Sequence, residues 1–328
     1  MILLIAVPIF SAMTQSLFIA HKQVITVTET CDPFGCKNET TVDAEATADL
    51  REKDPLGIFN GFATYTNRNH LASTEVKDSW NNADNFTDFF SKIMNLPFYK
   101  ALAFTLTYTF LVTPFVIIFG FLIALAVNSL ANWVKGPTIF FSLLPMIVTP
   151  LIGSLILFWM IDAEGILGST LQRIFNDNSL SLKASPVLTW IMLIVYGIWH
   201  STPFSFIVFY AGLQTVPEET IEAAMLDGAS LWQQNRHVVI PYLMPLIIFV
   251  TLIQLMDNFR VFEPIVGFNA SANATSLSWI IFNDLRGEDA LQLFGSAAAT
   301  SMLTIIGVAV LLTPVLIKTW KEFNSKTI

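Results

Sequence analysis

Ala211-Gly-Leu-Gln-Thr-Val-Pro-Glu-Glu-Thr-Ile-Glu-Ala-Ala-Met-Leu-Asp-Gly-Ala-Ser230, closing eight residues later on Val238-Val-Ile-Pro241, is a polar interval between two long apolar runs. Its local physics is legible. Pro217 suits the first helical position, Glu218 and Glu219 complement the positive end of a helix dipole, and Gly228 suits a left-handed residue just past the last turn. These signals predict a short helix over about 217–227. Ser230 suits the cap of a second helical turn, and Pro241 marks entry into the next apolar run. Ala223 and Ala224 leave room for the close approach of another surface, and Ile221 and Met225, four apart, form an apolar stripe. Together they predict a helix-turn-helix lying along a membrane surface as a docking element.

The flanks make this a membrane protein. Of 328 residues, 54% are hydrophobic and 13% charged, against roughly 25% charged in an ordinary soluble domain. A hydrocarbon core about 30 Å thick needs roughly 20 helical residues per crossing. Residues 1–20, 101–127, 138–160, 187–211, 242–262 and 294–317 read as spans. The expectation is an all-α integral membrane protein with about six transmembrane helices. The 28 Phe and 8 Trp fit a lipid-facing surface with rings at the interfaces. A net charge of −8 leaves no basic stripe for nucleic acid.

Residues 1–20 have the length of one crossing and lack the basic residues that precede a signal peptide's apolar region. They read as a first transmembrane helix, with a cleaved signal as the alternative. Either way, the polar and acidic residues 21–98 fall outside the cytoplasm as an insert, and residues 99–328 form a five-helix core. Cys31 and Cys36 lie in that insert, where disulfides persist, and read as a small stapled loop or as two unpaired thiols. Asn38 and Asn85 match glycosylation acceptors, a pattern short enough to arise by chance. Counting from an outside insert, the loop at 212–241 is cytoplasmic, as are Lys135 and the tail with Lys318, Lys321 and Lys326.

Glu222-Ala-Ala, then three residues, Gly228, nine residues and Val238-Val-Ile-Pro241, resemble the EAA loop of binding-protein-dependent ABC importer permeases. The flanking Gly212-Leu-Gln-Thr-Val-Pro-Glu-Glu and Asp227-Gly-Ala resemble the sugar-uptake branch, which includes the maltose permeases. The resemblance implies a type I ABC importer permease fold in the cytoplasmic (inner) membrane. It also implies that 212–241 forms a coupling loop, with Pro217, Glu222, Ala223, Ala224, Asp227, Gly228 and Pro241 in matching roles. The partners it implies are a second permease subunit, two ATP-binding subunits that hold ATP and Mg, and an extracytoplasmic solute-binding protein. Two departures stand: Val238 replaces the usual Ile, and Val266-Gly-Phe-Asn-Ala-Ser-Ala-Asn-Ala-Thr-Ser276 replaces a Gly-Gly-Pro segment.

The chain has no phosphate-binding loop, no His-Glu-x-x-His and no Gly-x-Ser-x-Gly, so no cofactor, metal or catalytic residue is expected on it. The fifth span ends in a polar cluster: Gln254, Asp257, Asn258 and Arg260. Asp257 and Arg260 are three apart and placed to pair. Polar groups at membrane depth usually face the protein interior or a wet cavity, so this cluster reads as a solute pathway, or else as a stabilised helix end at the outer interface. Planar amides suit a polyhydroxylated solute, and a guanidinium suits an anionic group. In the fourth span Trp199 and His200 precede Pro203, a predicted kink, and are pathway candidates, a packing histidine being the alternative. Pro145 and Pro150 read as kinks in the third span. An ion-coupled secondary transporter would show carboxylates in broken helices and inverted repeats. A membrane receptor would carry a signalling tail longer than this one.

Overall fold

A computed structural model describes residues 2–19, 21, 24–32, 35–53, 56–176, 181, 183, 185–286 and 293–325. The chain forms two compact units: Met1–Leu102 with Leu277–Ile306, and Ala103–Ser276 with Gly307–Ile328.

The first unit opens with α1 (Ile2–Gln15) and two short strands, β1 (Phe18–Ile19) and β4 (Ile58–Phe59), which pair antiparallel. Between them, β2 (Ile25–Asp32) and β3 (Gly35–Val42) form a second antiparallel pair, followed by α2 (Ala44–Lys53). These strands depart from an all-helical expectation. The signal was present in the Ile25-Thr-Val-Thr alternation. Register sets Cys31 opposite Cys36, while their side chains lie outside the described residues. Short helices α3 (Ala63–Thr66), α4 (Ser73–Asn81) and α5 (Phe86–Met94) lead to the start of α6 (Pro97–Asn128). Helix α15 (Leu277–Arg286) and the start of α16 (Phe294–Ser325) complete the unit. A polar knot ties it together: buried His70 is bonded at Nδ1 to Asn67 Oδ1 (2.7 Å) and at Nε2 to the Ser296 carbonyl (3.0 Å). The Ser296 hydroxyl donates to Asp284 Oδ2 at 2.6 Å.

Helix α1 falls within the first expected span, and its fourteen residues rise about 21 Å. The helix ends because Phe18–Ile19 is drawn into the pairing with β4. Among the described residues four helices are long and apolar enough to cross a membrane: α6, α10 (Pro186–Leu213), the continuous stretch Leu231–Phe259, and α16. A fifth span is counted if α7 (Asn132–Ile147) and α8 (Pro150–Met160) are taken together, although they are bent by 92°.

The second unit is built on packing of α7 and α13 (Ile240–Phe259) against α10, and of α14 (Glu263–Gly267) against α8. Its core joins Val127, Phe206, Phe209, Leu213, Val216, Val239 and Leu243. The close approach of α14 to α8 requires a glycine, since a Cβ on Gly267 would overlap the Ser154 hydroxyl. Outward, α6 exposes Phe110, Phe115, Ile118, Phe119 and Leu122. Such a ridge is unfavourable in water and at home against lipid tails.

Candidate functional site

The loop after α10 folds as a helix-turn-helix. Helix α11 (Glu218–Leu226) starts one residue later than expected: Pro217 is the N-cap, with ψ of 126°, and does not take the first helical position. Glu218 and Glu219 occupy the first turn, where the helix dipole favours negative charge. The other end is a Schellman motif, with Ala229 N–H donating to the Ala224 carbonyl and Gly228 N–H to the Met225 carbonyl, both at 3.0 Å. That motif needs a left-handed residue, and Gly228 supplies it with φ of 78°. Ser230 then caps α12 (Leu231–Gln234) through a reciprocal capping box with Gln233.

Pro241 stands in the first turn of α13, and the helix runs on through it from Leu231 to Phe259. The residues just ahead of it, Asn235–Val239, form a π-helical turn. Proline has no N–H and its ring clashes with the carbonyl four residues back, so the wider turn lets the helix pass.

The expected stripe divides. Ile221 packs against the core, whereas Met225 is exposed. Around the Gly228 turn stand Leu226, Leu231 and Trp232, exposed by 90%, 75% and 69%. Glu222, Ala223 and Asp227 are exposed beside them, and Ala224 is half-buried. Contiguous apolar exposure of this kind marks an interaction surface. The sequence reading missed Leu226, Leu231 and Trp232, although their apolar character in a polar loop was a usable signal.

The second element is the break between α7 and α8. Val148 and Thr149 are extended (ψ of 127° and 144°) because Thr149 precedes Pro150, which disfavours helical backbone there. The break frees carbonyls from the helical ladder, and α10 supplies donors to them. His200 Nε2 donates to the Val148 carbonyl at 3.2 Å and the Tyr196 hydroxyl to that of Pro150 at 2.7 Å. His200 stacks on Tyr196, with ring centroids 5.7 Å apart. Helix α10 itself is not interrupted, since Pro203 lies within the continuous Pro186–Leu213 helix.

Beside the break lies a cavity of about 560 Å³, within the usual range for small-molecule sites. It gathers Gln254, Asp257, Asn258 and Arg260 with His200 and Tyr196. Asp257 Oδ1 accepts from Arg260 Nη2 at 2.8 Å, and Arg260 Nε also donates to its own helix at the Met256 carbonyl (3.3 Å). Asn258 turns its amide inward to Thr113 Oγ1 at 2.9 Å. Trp199 is not brought to this cavity; it is half-exposed and lines two separate apolar clefts. Tyr196 and Glu263, not among the expected pathway residues, do line it.

Residues 89–317 match the model of the family described as binding-protein-dependent transport system inner membrane component. The multiple sugar-binding transport system permease protein MsmF of Streptococcus mutans is 31% identical over 69% of this chain and 77% of its own length. The arabinooligosaccharides transport system permease protein AraP of Halalkalibacterium halodurans is 28% identical over 66% and 70%. The trehalose/maltose transport system permease protein MalF of Thermococcus litoralis is 29% identical over 40% of this chain, a match that spans 45% of that relative. Two solved chains share the fold. One, from a bacterial ABC transporter that imports the acidic polysaccharide alginate, has a TM-score of 0.60 and 20% identity, covering 84% of this chain and 95% of its own. The other, from the bacterial alginate transporter in complex with its alginate pentasaccharide-bound periplasmic protein, has a TM-score of 0.57 and 21% identity, covering 75% and 86%. The chain therefore belongs to the family of binding-protein-dependent transport system inner membrane components, as a multi-pass membrane protein with the ABC permease fold.

Proposed function

We propose that this chain is one membrane-spanning half of an ATP-driven importer, in the cytoplasmic (inner) membrane, for a carbohydrate-like solute delivered by an extracytoplasmic binding protein. The observation that carries this reading is the Schellman-ended helix Glu218–Leu226 with its exposed Leu226, Leu231 and Trp232. It has the form of a rigid handle, and the chain has no phosphate-binding loop of its own. Relatives named as permeases for sugars, arabinooligosaccharides and trehalose/maltose support the solute class.

In this mechanism a second permease subunit completes the pore, and two ATPase subunits, holding ATP and Mg, grip the 212–241 loops from the cytoplasm. ATP acts at a distance only by favouring one conformational state over another. Because the loop is continuous with α13 through the π turn, its displacement moves the helix that carries Gln254, Asp257 and Asn258. Closure on ATP thereby switches the cavity from inward to outward access, where the binding protein delivers its solute, and reopening returns the solute held among those groups to the cytoplasm.

The test is uptake of labelled saccharides into proteoliposomes that contain the permease pair. Uptake that requires ATP, the ATPase chain and the binding protein is expected. Uptake by the permease chains alone, driven by an ion gradient, would overturn the reading.

A further inference from the structure

The cavity carries a charge balance that bears on its cargo. Its ionisable lining comprises Asp257, Glu263, Arg260 and His200, besides the phenols of Tyr108 and Tyr196. The one guanidinium is already engaged, by Asp257 and by its own helix backbone. Glu263 makes no ion pair among the described residues, and it lines the cavity together with Tyr108 and Tyr196. With His200 neutral the lining is left with one negative charge in excess, and with His200 protonated it is merely balanced. In neither state does it offer a surplus cation.

Resting on the importer function proposed above, we infer that the solute accepted by this cavity is an uncharged saccharide and not an acidic one, with Glu263 as the residue that sets the preference. Carboxylates and phenol oxygens accept hydrogen bonds, which suits the many hydroxyl donors of a neutral sugar. A uronic acid would bring further acceptors and a like charge toward Glu263, and the Arg260 fork that would receive its carboxylate bidentately is tied to Asp257. The preference thus differs from that of the two structural neighbours, which belong to a transporter of an acidic polysaccharide.

The experiment uses the complete importer in proteoliposomes, with its binding protein and ATPase, and compares trisaccharides of glucose, xylose and arabinose with trisaccharides of uronic acids. A neutral trisaccharide should enter about tenfold faster or more than any uronate. Uronate uptake as fast as neutral uptake overturns the inference. Glu263→Lys, with the same binding protein, should raise the uronate-to-neutral ratio by about fivefold or more. An unmoved ratio removes Glu263 from specificity. Should Glu263→Lys fail to copurify with the ATPase, Glu263→Gln keeps the side-chain volume, removes only the charge and reads the same ratio. Uptake of neither class, while some other solute stimulates ATP hydrolysis, would sink the carbohydrate function itself and not merely the charge preference.

Discussion

Asn258 on α13 and Thr113 on α6 are joined by a buried side-chain hydrogen bond of 2.9 Å that links two membrane-spanning helices. Both side chains are buried, so each depends on the other for a partner. Asn258→Leu should destabilise the detergent-solubilised protein by about 1 kcal/mol. Thr113→Val should cost a similar amount, and the double variant less than the sum of the two. Melting temperatures of the four proteins read this directly, and strict additivity would show that the bond contributes nothing.

Gly228 faces open space, so its requirement is set by its backbone alone. Substitutions should therefore rank by tolerance of the left-handed region. Asn should be mildest, Ala should cost about 1 kcal/mol, and β-branched Val should cost more. Solute-stimulated ATPase activity should fall in that order while the spans stay folded, and full coupling in Gly228→Val would contradict the role assigned to the turn.

Trp232 and Leu226 are both exposed apolar side chains beside that turn. Interface aromatics commonly carry about 2 kcal/mol or more of binding, which is roughly thirtyfold in affinity. Trp232→Ala should accordingly reduce copurification of the ATPase subunit, and Leu226→Asp should do so as well. Undiminished recovery in both variants would place the docking surface elsewhere.

Burial pushes the Asp284 carboxyl above its usual range, against the opposing pull of the Ser296 hydroxyl and the nearby His70 charge. A carboxyl raised on folding stabilises fully below its unfolded value of about 3.9 and loses that contribution as pH rises through the folded value. The melting temperature of the wild type relative to Asp284→Asn should therefore be most favourable below about pH 4 and decline toward neutrality. A difference that grows with pH would have the wrong sign.

Length and composition sufficed for the long apolar helices, because hydrocarbon thickness leaves few other solutions, and for Gly228 and Ser230, because caps have local causes. Other features depended on tertiary partners. Pro145 and Pro150 announce a kink, but the 92° bend is held by Tyr196 and His200 from another helix. The pairing of Phe18 with Phe59 just after α1 joins residues far apart in the chain, which no local pattern announces. Trp199 and His200 are sequence neighbours that face different spaces, since adjacent helical residues diverge by about 100°. Glu263 was passed over because its carboxylate matters only beside an Arg260 already claimed by Asp257.

In the proposed importer, residues 212–241 are held from the cytoplasm by a separate ATP-hydrolysing chain. Leu226→Cys, fitted with a short photoactivatable cross-linker in the assembled importer, tests this at the most exposed residue of the turn. A covalent adduct with the ATPase subunit is expected, with a yield that changes when ATP is added. An adduct with the solute-binding protein, or thiol labelling of position 226 only from the outer face of sealed vesicles, would contradict it.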